Sequence, residues 1–196
     1  MPKKKKKIGL FFGTFNPIHN GHLILASYMS QFTDLDEVWF VVSPQNPLKQ
    51  KKGLLADHHR LALVRLAVED YPQFQVTDIE FKMPRPSYTI DTLTWLSEKY
   101  PDKAFVLISG TDVFGQFHKW KNQDQILEHY GMYVYPRPGY EMGAYENHPK
   151  IKVFPAPHME ISSSFIRKGI KAKKEMHFWM PEKVYRYIEE MHFYEK

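Results

Sequence analysis

Apolar positions along the chain fall into two kinds of run. Residues 8–12, 37–43 and 104–108 carry consecutive apolar side chains, many of them β-branched or aromatic, and such short unalternating runs predict strands buried on both faces. Elsewhere the apolar residues recur at three- and four-residue spacing. That spacing predicts helices over residues 23–32, from Asp57 to about Asp70, and over 89–100, the last with Ile90, Leu93 and Leu96 on one face and Pro101 as its stop. Asp57 stands where a helix N-cap is expected. Phe74–Thr77 and residues 131–135 and 151–154 read as further strands, Gln123–His129 and Ser163–Lys171 as short helices, and a last amphipathic helix starts at Pro181. Strands alternating with helices predict an α/β fold with a mostly parallel sheet covered on both faces. No repeat or linker interrupts the pattern, so residues 1–196 are expected to form a single domain large enough to bury a core.

Charge and composition narrow the function. Lysine and arginine number 27 against 22 acidic residues, and the excess of five equals the run Lys3 to Lys7, which leaves the rest of the chain balanced. Nucleic-acid binding needs a basic face spread over a folded surface, so one basic tail makes nucleic acid an unexpected partner. Residues 1–7 read as a solvated tail ahead of the first strand, with a nuclear-localisation signal as the alternative. The apolar run behind them ends at Gly13, short of the ~7–15 residues of a secretory core. No other run approaches the ~18 residues of a membrane span. A cytoplasmic protein without membrane contact is expected, and a homo-oligomer is compatible with the pattern. The chain has no cysteine, which excludes disulfides, thiolate catalysis and Cys-ligated zinc or iron–sulfur sites.

Two stretches carry chemistry. Gly13-Thr14-Phe15-Asn16-Pro17-Ile18-His19-Asn20-Gly21-His22-Leu23 joins the first strand to the first helix. In an open parallel sheet such a loop lies at the carboxyl end of a strand, where ligands bind. Gly13 admits close backbone approach, the helix start attracts anions, and His19 and His22, three apart, can turn both rings to one phosphate. The pair reads as two cations that switch near neutral pH. A zinc pair and ordinary loop histidines are the alternatives; zinc calls for a third protein ligand, and this segment holds neither carboxylate nor cysteine, so no protein-ligated metal is expected. The stretch lacks the Gly-Lys-Ser/Thr ending of a Walker A loop.

The second stretch is Ile161-Ser162-Ser163-Ser164-Phe165-Ile166-Arg167-Lys168-Gly169. Consecutive serines before an apolar helical start form an N-cap pattern, and a cap alone would account for them. Arg167, one turn in, adds a guanidinium fork toward any anion that the free N–H groups of the helix start attract. Two anion-binding helix starts suit a polyphosphate.

These residues resemble a known family. Gly13 to Leu23 is similar to the (H/T)xGH nucleotidyltransferase signature, and Ile161 to Arg167 resembles its ISxTxxR partner. Pro86-Ser87-Tyr88-Thr89, Gly110-Thr111-Asp112, Trp120 and Arg137-Pro138-Gly139 extend the likeness over nearly the whole chain and to its pyridine-nucleotide branch, the nicotinate-nucleotide adenylyltransferases. The resemblance implies a Rossmann-like three-layer nucleotidyltransferase fold and a reaction in which the phosphate of nicotinate mononucleotide attacks the α-phosphorus of ATP, giving nicotinate adenine dinucleotide and pyrophosphate in NAD biosynthesis, with Mg2+ travelling with ATP. It implies His22, His19 and Arg167 as catalytic residues. It assigns Gly13, Thr14, Phe15, Lys49, Ser162, Ser164 and Arg167 to ATP and its phosphates, and Tyr88, Thr89, Trp120, Gly110, Asp112 and Arg137 to the mononucleotide. As bare residues, Trp120 is equally at home as a core aromatic, Asp112 as a helix cap and Arg137 as a surface charge.

The sequence departs from the family at three places: Phe12 stands for a glycine, Asn16 for an aspartate and Ser164 for a threonine. Asn16, with Val42-Ser43-Pro44 and Lys51-Lys52-Gly53-Leu54, is similar to relatives that use nicotinamide mononucleotide, so the amide or a dual preference is the nearest alternative. A protein that binds nucleotide or nucleic acid without catalysis is the alternative from a different class.

Overall fold

Six strands, all parallel, form one sheet in the order β3-β2-β1-β4-β5-β6. The computed structural model describes residues 4–44 and 54–195; Lys49 and Lys51 to Gly53 lie outside them. In chain order the elements are β1 (Lys6–Gly13), α1 (Asn20–Phe32), β2 (Glu37–Val42), α2 (Asp57–Val68), β3 (Phe74–Thr77), α3 (Thr89–Lys99), β4 (Lys103–Gly110), α4 (Phe114–Phe117), α5 (Gln123–His129), β5 (Met132–Tyr135), β6 (Ile151–Val153), α6 (Ser163–Lys171) and α7 (Glu182–Glu190). The sheet is flanked by helices on both faces, a Rossmann-like α/β fold. Among the described residues no helix is long and apolar enough to cross a membrane.

Alternation along the central strands builds two cores. Phe11 of β1, Val38, Phe40 and Val42 of β2, and Val106 and Ile108 of β4 face a layer made by α1, α2, α6 and α7, with Met29, Val64, Ile166, Val184 and Ile188 buried there. Ile8 and Leu10, Trp39 and Val41, and Phe105 and Leu107 face the other layer, where Leu93 and Leu96 of α3, Phe117 of α4 and Ile126 of α5 are buried. Each fully buried apolar side chain of this size contributes about 1.5–3 kcal/mol. Burial on both faces is why these strands show no polar alternation.

Three local features differ from the sequence pattern. β1 starts at Lys6, not Ile8, because Lys6 Nζ pairs with Glu37 at 2.8 Å, Lys7 Nζ pairs with Asp34 at 2.6 Å, and the Lys7 amide donates to Asp36 Oδ2 at 2.7 Å. Two of the five tail lysines therefore belong to the sheet. Asp57 does not cap α2: Ala56 holds the cap position, and the Asp57 carboxylate is taken by Arg60 at 2.6 Å and Arg85 at 2.8 Å. The single turn of α4 has too few residues for a readable period and is held by the burial of Phe114 and Phe117. Ser162, in contrast, caps α6 as its pattern requires, its hydroxyl accepting from the Phe165 amide at 3.1 Å.

The strand order fixes where a ligand can sit. The chain moves outward from β1 to β2 and β3, then crosses back to β4 on the other side of β1. The connections leaving β1 and β4 thus diverge and open a crevice at the carboxyl ends of those two strands. Gly13 ends β1 and Gly110 ends β4.

Candidate active site

The loop after β1 is built around Phe15. Its φ of 44° is left-handed, a costly conformation for a bulky residue, and its ring is buried at 2% exposure directly against Gly13. A Cβ on Gly13 would lie 2.7 Å from that ring, which is why the position needs glycine. The Phe15 side chain serves the core, and only its backbone remains available to a ligand. Above it, Phe15 and Phe11 meet the His22 ring edge-on, with centroids 5.1 and 6.1 Å away. His22 stacks on His19 at 3.7 Å with 26° between the planes.

The two histidines define the start of α1. His19 is the N-cap, with extended backbone. Its amide donates to His22 Nδ1 at 3.3 Å. An Nδ1 that accepts leaves the proton of a neutral imidazole on Nε2, so His22 presents an Nε2–H donor. Gly21 lies tight against His19 and Ile161, within 3.1–3.3 Å of an added Cβ, and its missing side chain lets the segment before α6 approach.

That approach joins the two motifs. Ser163 Oγ donates to the Pro17 carbonyl at 2.8 Å, and Arg167 Nη1 donates to the Asn16 carbonyl at 2.6 Å, across more than 140 residues of sequence. Arg167 Nη2 also donates to Ser164 Oγ at 3.2 Å. The start of α6, with Ser162 and Ser164 exposed, therefore faces the same crevice as the histidine loop.

Two residues that sequence reasoning missed, Arg60 and Tyr194, hold this corner. Arg60 is completely buried; its guanidinium donates to the carbonyls of Thr14 at 2.5 Å, Ser43 at 2.9 Å and Leu55 at 3.0 Å, and to Asp57 at 2.6 Å. It ties the loop after β1 to the end of β2 and the start of α2. Nothing in the sequence of α2, where Arg60 and Arg65 both stand among apolar residues, marks such a role. Asn16 Oδ1 accepts from the Leu55 amide at 3.1 Å and from the Tyr194 hydroxyl at 2.8 Å.

On the β4 side, Arg137 reaches over Gly110. A Cβ on Gly110 would lie 2.8 Å from the Arg137 Nε, so this glycine too is demanded by a neighbour. Thr111 Oγ1 accepts from the Arg137 amide at 2.8 Å, Asp112 pairs with the guanidinium at 3.2 Å, and the Tyr135 ring lies 5.5 Å beneath it. Asp112 is thus an ion-pair partner and not the cap of the turn Thr111–Val113, whose cap is Gly110. Tyr88 caps α3, and Thr89 is its first residue. Lys121, next to Trp120, lies 5.1 Å over the Tyr88 ring and pairs with Asp91, which brings the two sequence-predicted aromatic segments to one side of the sheet. Trp120 is half-buried against Phe117 at 5.3 Å and is therefore partly core. Behind Ser87, Glu80 is buried with Thr92 Oγ1 donating at 2.7 Å. Burial pushes the Glu80 carboxyl up from its usual value, and the hydroxyls of Ser43, Thr92 and Ser87 work against that shift.

Electrostatics correct one expectation. Burial, with the Arg137 cation nearby, lowers the His19 pKa to about 4. Burial, then His19 and Arg137, hold His22 well below its ordinary value. Both imidazoles are neutral donors at pH 7 in this state, not two switching cations, because a charge in a stacked, desolvated pair beside a guanidinium is unfavourable. Arg60 and Arg167 beside the histidine loop, and Arg137 across the crevice, remain as fixed cations. Among the described residues no group of three His, Asp or Glu side chains is placed to hold a metal ion.

The crevice lies at the carboxyl ends of β1 and β4 in a wholly parallel sheet, and the cytidylyltransferase-like family model, which matches residues 10–169, makes this the fold of a nucleotidyltransferase. A protein of Flavobacterium psychrophilum, named "probable nicotinate-nucleotide adenylyltransferase", is 52% identical over 192 residues, covering 97% of this chain and 100% of the relative. A protein of the same name from Bacteroides thetaiotaomicron is 45% identical over 186 residues, covering 95% and 92%. The chain belongs to this nicotinate-nucleotide adenylyltransferase family. In fold it is similar to the solved nicotinic acid mononucleotide adenylyltransferase of Plasmodium falciparum complexed with NaAD, with a TM-score of 0.79 over 97% of this chain and 98% of that one at 19% identity.

Proposed function

We propose that the crevice joins ATP and nicotinate mononucleotide to give nicotinate adenine dinucleotide and pyrophosphate. The observation that carries this reading is the fastening of the α6 start onto the histidine loop by Ser163–Pro17 and Arg167–Asn16, which sets two groups of anion donors around one point. A triphosphate fits such a double cradle; a single phosphate would need only one.

In the proposed reaction an oxygen of the mononucleotide phosphate forms a bond to the α-phosphorus, and the bond from that phosphorus to the bridging oxygen of the β-phosphate breaks. The nucleophile is already an anion, so no base is required, and catalysis consists of alignment and charge stabilisation. His22 Nε2–H and the His19 ring act as donors to the phosphates where negative charge builds. Ser162, Ser164, Arg167 and the free amides of α6 receive the departing pyrophosphate. Mg2+ arriving with ATP would neutralise phosphate charge there and would need few protein ligands. Gly13 and Thr14 line the approach, and Lys49, outside the described residues, is assigned to the phosphates on resemblance alone.

The mononucleotide lies along Gly110, Asp112 and Arg137, with its ring beside Tyr88, Thr89 and Trp120. The free amides at the start of α3 can meet a carboxylate, and an amide NH2 there would point donor against donor. This favours nicotinate over nicotinamide mononucleotide. The ion pairs of Lys6 and Lys7 within the sheet remove part of the basic tail that a nucleic-acid reading would use. A reaction that draws on ATP is placed in the cytoplasm. Pyrophosphate release measured with ATP and either mononucleotide tests the proposal: turnover with neither would refute it.

A further inference from the structure

The segment after α7 returns to the histidine loop. It leaves the helix through backbone bonds from His192 N–H to the Glu189 carbonyl and from Phe193 N–H to the Ile188 carbonyl, and His192 Nδ1 lies 3.0 Å from Glu195 Oε1. His192 and Tyr194 both have left-handed φ, 52° and 67°, a conformation that residues with a Cβ adopt only when surroundings enforce it. What enforces it is the seating of two rings. Phe193 packs on His59 at 4.7 Å and on Tyr187 at 5.9 Å. Tyr194 turns inward, and its hydroxyl donates to Asn16 Oδ1 at 2.8 Å.

Asn16 is where four separate segments meet. Its side-chain oxygen takes the Leu55 amide as well as Tyr194, and its carbonyl takes Arg167. Only 5% of Asn16 is exposed, and it follows the left-handed Phe15 directly. The Leu55 contact comes from a backbone amide, whereas the one from Tyr194 comes through a single rotatable hydroxyl, which makes it removable without disturbing backbone.

We infer that Tyr194 is a positioning residue for the reaction: through Asn16 it fixes the histidine loop against α6, so that His19, His22 and Arg167 converge. The inference rests on the proposed phosphate role of that loop. Burial raises the Tyr194 pKa, with Arg167 and Arg60 pulling it the other way, so the hydroxyl stays protonated and a donor throughout the working pH range. Catalysis by alignment is sensitive to such a support, since a displacement of about 1 Å in positioned groups can lower turnover ~100-fold.

The test is Tyr194→Phe, which removes one oxygen and keeps the ring. Hydrogen exchange of the peptide covering residues 14–22 is measured without substrates, and kcat and the KM for each substrate are measured beside it. We expect exchange in that peptide to accelerate about fivefold or more and kcat to fall by about fivefold to twentyfold, with KM for the mononucleotide nearly unchanged. Asn16→Asp, which keeps an acceptor oxygen, should retain slow exchange, while Asn16→Leu should lose it. Unchanged exchange in Tyr194→Phe, or accelerated exchange with kcat within twofold of wild type, overturns the inference. His22→Ala separates the two readings: if it stays active, the phosphate role of the loop fails, and with it the catalytic part of this inference.

Discussion

The corner proposed to hold the phosphates and the side proposed to hold the pyridine ring are built on opposite plans. Around the histidine loop nearly every group is buried and cross-linked: His19 is 4% exposed, Arg60 is completely buried, and the loop is tied to β2, α2, α6 and Tyr194. On the other side Asp112 and Arg137 pair with side chains 44% and 42% exposed, and Lys121 covers Tyr88 from the surface. The contrast suits the proposed chemistry. Donors that stabilise charge developing at phosphorus act only if they are in place before the charge appears, because reorganising them during the step would cancel the gain. A ring that stacks can be met by side chains that settle on binding, at a cost of about 0.5–1.5 kcal/mol for each one immobilised.

That contrast can be broken most severely at Arg60. Arg60→Ala leaves three carbonyls and the Asp57 carboxylate short of a partner in a buried site, and we expect a loss of about 3–5 kcal/mol in urea unfolding. A loss below about 1 kcal/mol would show that the corner is not held by this residue. His22→Ala should leave the fold intact and lower kcat by ~10²–10³, about 3–4 kcal/mol of barrier. Retention of a third of wild-type kcat would remove His22 from the mechanism.

Protonation offers a gentler way into the same corner. The His19 pKa is depressed in the folded state, so the folded protein binds fewer protons than the unfolded chain between pH 6.5 and about 4. Its contribution is present above pH 6.5 and is lost as pH falls toward 4, up to about 3 kcal/mol from His19. His22 shifts in the same direction. Unfolding free energy followed over that window should decline with falling pH in the wild type and decline less in His19→Gln. Equal slopes would mean that His19 is not buried as described. Glu80 runs oppositely: its raised pKa makes the folded state the better proton binder, so Glu80→Gln should gain relative stability as pH rises above 4.5.

The pyridine side should respond more weakly. Nicotinate mononucleotide is expected to exceed nicotinamide mononucleotide by about 5–150-fold in kcat/KM, the range spanned by one mismatched buried donor. Equal values would show that the amides at the start of α3 are not aimed at a carboxylate. The smallest effect belongs to the lysine run. Since Lys6 and Lys7 form part of β1, deletion must stop at Lys5, and kcat/KM at physiological salt should then stay within about threefold, because the field of exposed charges is screened over ~8 Å. Extending the deletion through Lys7 should cost stability where the shorter one does not.

What the sequence determined by itself was everything with a short-range cause. Strands and helices such as Phe74–Thr77, Gln123–His129 and Ser163–Lys171 were legible because burial on two faces or one face imposes a period on neighbouring residues. The histidine loop and the Ser162 cap were legible because their chemistry needs residues three or four apart. Four things were decided only by the tertiary structure. Arg60 became a hub because the carbonyls of Thr14 and Ser43, from other segments, converge on it together with that of nearby Leu55. Asp57 gave up its cap role to two arginines, one of them 28 residues away. Lys6 and Lys7 left the tail for the sheet when Glu37 and Asp34 came within reach. The histidines, whose free pKa near 6.5 suggests cations, became neutral donors, since desolvation and a neighbouring guanidinium are properties of the packed molecule and of no stretch of chain alone.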